Sequence, residues 1–184
     1  MKKAIALLLA LVMVFALCAC GGGGDSASGD KVVKIGVFEP ASGDSGAGGK
    51  KEMLGMQYAN QETPTVEIGG ETYKVELVYS DNGSDSAKAV SAASKLVNEK
   101  VSLVLGSYGS GVSIAASDTF KQAGIPAIGV TCTNPNVTAG NSHYFRICFL
   151  DPFQGTVLAN YAAKELKAVK AYCLGENGNE YDQG

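Results

Sequence analysis

Two hydrophobic periods alternate along most of this chain. Residues 32–38 (VVKIGVF) form a short run rich in β-branched residues, and residues 73–79 (YKVELVY) alternate apolar and polar as a half-buried strand does. Between them, Met53, Met56, Tyr58 and Ala59 recur at helical intervals within residues 49–61. Residues 86–99 place Ala89, Val90, Ala93, Leu96 and Val97 on one helical face. Residues 101–105 and 127–130 read as strands buried on both faces, the second with Pro126 at its start, where a missing N–H is tolerated. Between these two strands, residues 110–122 read as a helix with Ser110 at its cap and Gly124 beyond its end. Further on, 144–149 is extended, 154–166 helical and 169–174 a strand.

This alternation predicts an α/β fold. Parallel strands are joined by right-handed crossovers, with helices on both faces of the sheet. In such sheets, ligands sit beyond the carboxyl ends of the strands. Three loops are therefore singled out: residues 39–51, 106–111 and 131–135.

The N-terminus follows another pattern. Lys2 and Lys3 precede an apolar stretch that ends Leu17-Cys18-Ala19-Cys20 before four glycines. Basic residues, a short apolar run and small residues at a cut site read as an export signal over residues 1–20. The Leu-x-Ala-Cys ending resembles the bacterial lipobox, in which Cys20 is lipidated and becomes the mature N-terminus. The run is shorter than the ~20 apolar residues that span a bilayer. A metal half-site at Cys18 and Cys20 lacks the second ligand pair that zinc requires. Residues 21–31, rich in Gly and Ser, read as a flexible tether.

Composition narrows the function classes. The net charge of the 184 residues is −3, and loss of Lys2 and Lys3 with the leader leaves about −5. An acidic chain without a basic run is poorly suited to nucleic acid. Cys132, Cys148 and Cys173 match no metal or redox spacing and read as small buried hydrophobes.

The loops carry the candidate chemistry. Residues 39–51 (EPASGDSGAGGKK) invite a phosphate-loop reading, but Asp44 stands where that motif needs Gly and Lys51 where it needs a hydroxyl. Close backbone approach to a ligand and simple flexibility both remain open for this loop. Ser110 opens a helix, whose free N–H groups and partial positive charge form an anion site; a plain N-cap is the other reading. Thr131, Cys132 and Thr133 follow the next strand. Their hydroxyls and N–H groups suit a carboxylate and their carbonyls an ammonium, although a simple turn uses the same residues. A nucleophile needs a base within reach, and the single histidine, His143, lies away from all three loops. Asp44, Asp81 and Asp85 read as solvated or capping residues.

Five stretches in order resemble the branched-chain-amino-acid type of substrate-binding lipoprotein, which has the type I periplasmic-binding fold and serves ABC importers. They are Ile35-Gly36 leading to Ser42-Gly43; Asp81 with Ala89-Val90 and Leu96-Val97; GSYGSGVSIAASD from Gly106; Gly124-Ile125-Pro126 leading to residues 131–135; and Phe145-Arg146 with Asp151, Gln154 and Gly155. The resemblance implies that Ser110 binds the α-carboxylate of an amino-acid-like ligand. Thr133 adds a hydroxyl and N–H, the Thr131 carbonyl takes the ammonium, and Tyr108, Gly109 and Cys132 line the pocket. Where the family often brings an aromatic residue from the first loop, this chain has Gly48. Where some members have a disulfide, it has Ser84 and Gly109, which implies no bridge.

The resemblance also implies a division of the chain. Residues 32–149 would be lobe one, and 150–184 the hinge crossing and the start of a second lobe that is cut short. Poor solute binding by the 184 residues alone is the corresponding expectation. The implied function is extracytoplasmic solute capture for membrane permease subunits, by a lipid-anchored monomer without cofactor, metal or nucleic acid. A sensor domain of the same fold and a surface-anchored α/β hydrolase are the rival readings.

Overall fold

A computed structural model describes residues 31–184. The expected leader, Cys20 and all of the tether except Lys31 lie outside the described residues. Six strands and five helices follow in the order β1 (Val32–Glu39), α1 (Gly46–Glu62), β2 (Thr65–Ile68), β3 (Glu71–Asp81), α2 (Ser86–Asn98), β4 (Leu103–Leu105), α3 (Ser110–Ala123), β5 (Ala127–Gly129), β6 (Tyr144–Arg146), α4 (Asp151–Lys164) and α5 (Glu180–Gln183). One 3-10 turn, Pro135–Val137, precedes β6.

The sheet order is β2-β3-β1-β4-β5-β6. β3, β1, β4, β5 and β6 run parallel, as the alternation predicts. β2 departs from the expected all-parallel sheet, because it pairs antiparallel with β3 at the edge. Gly69 and Gly70, both at positive φ, make the tight turn between them. A Gly-Gly pair between two alternating runs is a hairpin signal, and it is visible in the sequence.

The core lies on the face covered by α2 and α3. Ala89, Ala92, Ala93 and Leu96 of α2 are buried there with Val112, Ala116 and Phe120 of α3. Phe120 meets Phe38 of β1 edge to face, with centroids 5.5 Å apart. Val90, placed on the buried face by its spacing, is exposed. Helix α1 buries only Gly46 and Gly49, so the apolar face expected from Met53, Met56, Tyr58 and Ala59 does not reach the core. Residues 169–174 form no strand. Val169, Tyr172 and Leu174 are almost fully exposed, with no neighbouring strand to satisfy their backbone.

Asp81, at the end of β3, fastens the loop after β1. Its Oδ1 accepts N–H bonds from Ala41 (2.8 Å), Ser42 (3.3 Å) and Gly83 (2.8 Å), and its Oδ2 accepts the Ser42 hydroxyl at 2.7 Å. Burial works against the charge, but the Ser42 hydroxyl and the three N–H donors hold the carboxyl below its ordinary value of 3.8. A depressed carboxyl stabilises the fold above the unfolded value, and this is lost as pH falls through the folded value. Asp81→Asn is therefore expected to lower stability at pH 7 by about 1 kcal/mol, a modest figure because the site is solvated. The gap should close below pH 3.8, as urea melts at the two pH values would show. Equal stability at pH 7 would contradict this role.

Candidate functional site

The five parallel strands follow a doubly wound order in which chain direction switches between β1 and β4. At that switch point the loops leaving neighbouring strands diverge and open a crevice. The loops after β1, β4 and β5 converge on a cavity of about 680 Å³, a volume typical of a small-molecule site. Pro40, Asp44 and Ser45 come from the first loop, Tyr108 to Val112 from the second, and Thr131 and Thr133 from the third.

Ser110 is the first residue of α3 rather than its cap. The cap is Gly109, which has no side chain to offer, so Ser110 is free for another partner. Its Oγ accepts the N–H of Asn134 at 3.2 Å. A hydroxyl that accepts from the protein keeps its own proton for donation. Thr133 is buried, and its Oγ1 has no hydrogen-bond partner in the protein. An unpaired buried hydroxyl costs about 1–3 kcal/mol. Both residues line the cavity, and Ser110 does so at the N-terminal end of α3, where the helix carries partial positive charge.

The loop after β5 is held from behind by Arg146 of β6. Its Nη1 donates to the Cys132 carbonyl at 3.0 Å, and its Nη2 to the Pro135 carbonyl and the Thr138 hydroxyl at 3.3 and 2.8 Å. Thr131 and Thr133 line the cavity, while Cys132 is buried in the core beside Gly129. Cys132 thus does not line the pocket, and burial raises its thiol to about 11. Cys148 lines the cavity instead, and Cys173 is exposed, so only Cys132 behaves as a small buried hydrophobe.

Tyr108 supplies an aromatic wall. Its ring packs so tightly on Gly48 that any side chain there would collide with it. The space that an aromatic residue of the first loop would take is therefore filled from the loop after β4. The Gly109 carbonyl accepts the N–H and hydroxyl of Ser113 at 3.2 and 2.7 Å, which stiffens that loop.

Phe149, Gln154 and Tyr181 also line the cavity, and the Gln154 amide donates to the Tyr181 hydroxyl at 3.2 Å. These three were not singled out from the sequence as ligand contacts. Only the path of the chain after β6 brings them round. Asp85 caps α2 by accepting the Ala87 N–H at 2.7 Å, in line with a capping role. His143 is half-buried; its Nδ1 meets the Ser142 hydroxyl at 3.2 Å, and it takes no part in the cavity. Among the described residues, no group of His, Cys, Asp or Glu has the arrangement of a metal site, and no helix is long and apolar enough to cross a membrane.

The sequence profile described as periplasmic binding protein matches residues 32–184. An amino acid binding protein of Pseudomonas aeruginosa is 36% identical over 155 residues, covering 83% of this chain and 41% of the relative. The crystal structure of a leucine binding protein, LivK, from Thermotoga maritima is 38% identical, with a TM-score of 0.70 over 74% of this chain and 38% of its own. The branched-chain amino acid substrate binding protein LivJ from Streptococcus pneumoniae, in complex with isoleucine, is 34% identical, with a TM-score of 0.68 over 75% of this chain and 40% of its own. The chain spans about two fifths of the length of the curated relatives it matches. The expected α/β type I periplasmic-binding fold is the fold observed. In sequence and in fold, this chain belongs to the periplasmic binding protein family.

Proposed function

We propose that the protein is the extracytoplasmic solute receptor of an ABC importer and captures an amino acid of the branched-chain type. The observation that carries this reading is that the unpaired Thr133 hydroxyl and the free hydroxyl proton of Ser110, the first residue of α3, belong to two residues lining one cavity. Two donors and a helix N-terminus form a receptor for one carboxylate. Tyr108 walls the apolar side of the cavity, and the Thr131 carbonyl takes the ammonium. The work is binding without covalent chemistry.

In this reading, residues 32–149 form lobe one, and 150–184 begin the crossing to a second lobe that closes over the solute by hinge motion. The receptor is a monomer tethered through lipid on Cys20, which keeps it beside its permease subunits. A thermal-shift screen of the twenty amino acids and a set of aromatic carboxylates, on protein made from the full coding sequence, tests the reading. Leucine, isoleucine or valine should raise the melting temperature most. A response confined to aromatic carboxylates, or no response at all, would reject it.

A further inference from the structure

Glu39 ends β1 and is 1% exposed. Its Oε2 accepts the Tyr108 N–H at 2.8 Å, while its Oε1 has no donor. Its carboxyl lies against that of Glu52, which reaches in from α1. The Oε1 of Glu52 accepts the Thr131 hydroxyl at 2.5 Å, and its Oε2 likewise has no donor. Ionised carboxylates only accept, so two of them cannot bond to each other without a proton. Each lacks a donor at one oxygen, and a single shared proton satisfies both.

We propose that Glu39 and Glu52 hold one proton between them and act as a positioning clamp, tying the Tyr108 loop to Thr131 across the base of the solute site. The clamp's effect on affinity rests on the solute-receptor reading above. The hydrogen-bonded chain runs from the Tyr108 N–H through Glu39, the shared proton and Glu52 to the Thr131 hydroxyl. Both ends of it line the cavity. Gly106, at φ +121, leaves room for it, since a Cβ there would lie 2.6 Å from Glu39 Oε1.

The electrostatics agree with the geometry. Burial, then the hydrogen bond and negative charge of Glu52, raise the Glu39 carboxyl to about 10 against the opposing pull of the Tyr108 N–H. Glu39 faces Glu52 on α1 and Tyr144 on β6, whose hydroxyl donates to the Gly106 carbonyl at 2.9 Å. Glu52 faces Cys148. Arg146 is engaged with the carbonyls of Cys132 and Pro135. One proton held between two carboxyls leaves the pair a single negative charge. A raised carboxyl stabilises the fold fully below the unfolded value near 4.5, and this is lost as pH rises toward about 10.

Glu39→Gln imitates the protonated state, because its amide donates to Glu52 and its carbonyl accepts from Tyr108. Glu39→Ala breaks both bonds. In the full-length protein, wild type should show a protonated-carboxyl C=O band in the infrared at pH 7.5 that Glu39→Gln removes. Its melting temperature should fall between pH 6 and 9 more steeply than that of Glu39→Gln. The Tyr108 amide should exchange with solvent about tenfold faster in Glu39→Ala and at the wild-type rate in Glu39→Gln. With L-leucine as probe, Glu39→Gln should bind within about threefold of wild type, and Glu39→Ala about tenfold more weakly. Absence of the band, or unchanged Tyr108 exchange in Glu39→Ala, overturns the clamp. If Glu39→Ala does not fold, the band and the melting slopes of wild type and Glu39→Gln decide. If no amino acid binds wild type, the receptor reading fails by itself, and the band and the exchange still judge the clamp.

Discussion

Replacing Ser110 and Thr133 together by alanine is expected to weaken amino-acid binding by about 3–6 kcal/mol, or two to four orders of magnitude in Kd. Each hydroxyl supplies a hydrogen bond to a charged carboxylate, worth about 1.5–3 kcal/mol. The two share one ligand group, so their effects need not add. The single variants should differ in the unliganded protein. Ser110→Ala removes the acceptor of the Asn134 N–H and leaves a buried donor unpaired, so it should destabilise the fold by about 1 kcal/mol or more. Thr133→Ala removes a buried hydroxyl that has no partner, so it should leave stability unchanged or raise it by about 1 kcal/mol. Calorimetry with the best amino acid from the screen, and urea melts without it, measure both effects. Unchanged affinity in the double variant would refute the site.

Phe120→Ala is expected to destabilise the domain by about 3–5 kcal/mol. Phe120 is fully buried on α3, and its ring stands edge to face against Phe38. Truncation removes its apolar burial, opens a cavity and forfeits the aromatic pair, which adds about 0.5–1.5 kcal/mol. Against a total of about 5–15 kcal/mol this is a large share. The same helix presents Ser110 at its first residue, so loss of packing at Phe120 loosens the platform of the site. Chemical denaturation measures the loss, and a change below about 1 kcal/mol would show that the α3 core is not packed as described.

How far the sequence could be read differs from element to element. Helix α2 was legible because Ala89, Ala93 and Leu96, read at helical spacing, are all buried, although Val90 of the same reading is exposed. The register of α1 was not, because its only buried residues are glycines, which carry no hydrophobic signal. The segment 169–174 has strand-forming residues, but a strand exists only where a neighbour accepts its hydrogen bonds. Cys132 shows a smaller error of the same origin. In an extended loop, successive side chains point to opposite sides, so Thr131 and Thr133 can face a cavity only if Cys132 turns away into the core. That alternation stands in the sequence and could have removed Cys132 from the pocket.

The sequence by itself determined the parallel α/β architecture and the three loops at the strand ends, because periodicity and strand–helix order are local and survive without coordinates. It also determined Ser110 and Thr133 as carboxylate-holding candidates. Only the tertiary structure decided which of these polar groups still had a free bond to give, since that depends on neighbours far away in the chain, as Asn134 is from Ser110. It alone filled the space at Gly48 with the ring of Tyr108, sixty residues later. It alone brought Glu39 and Glu52 together, because no pattern along one strand and one helix records that two carboxyls will meet.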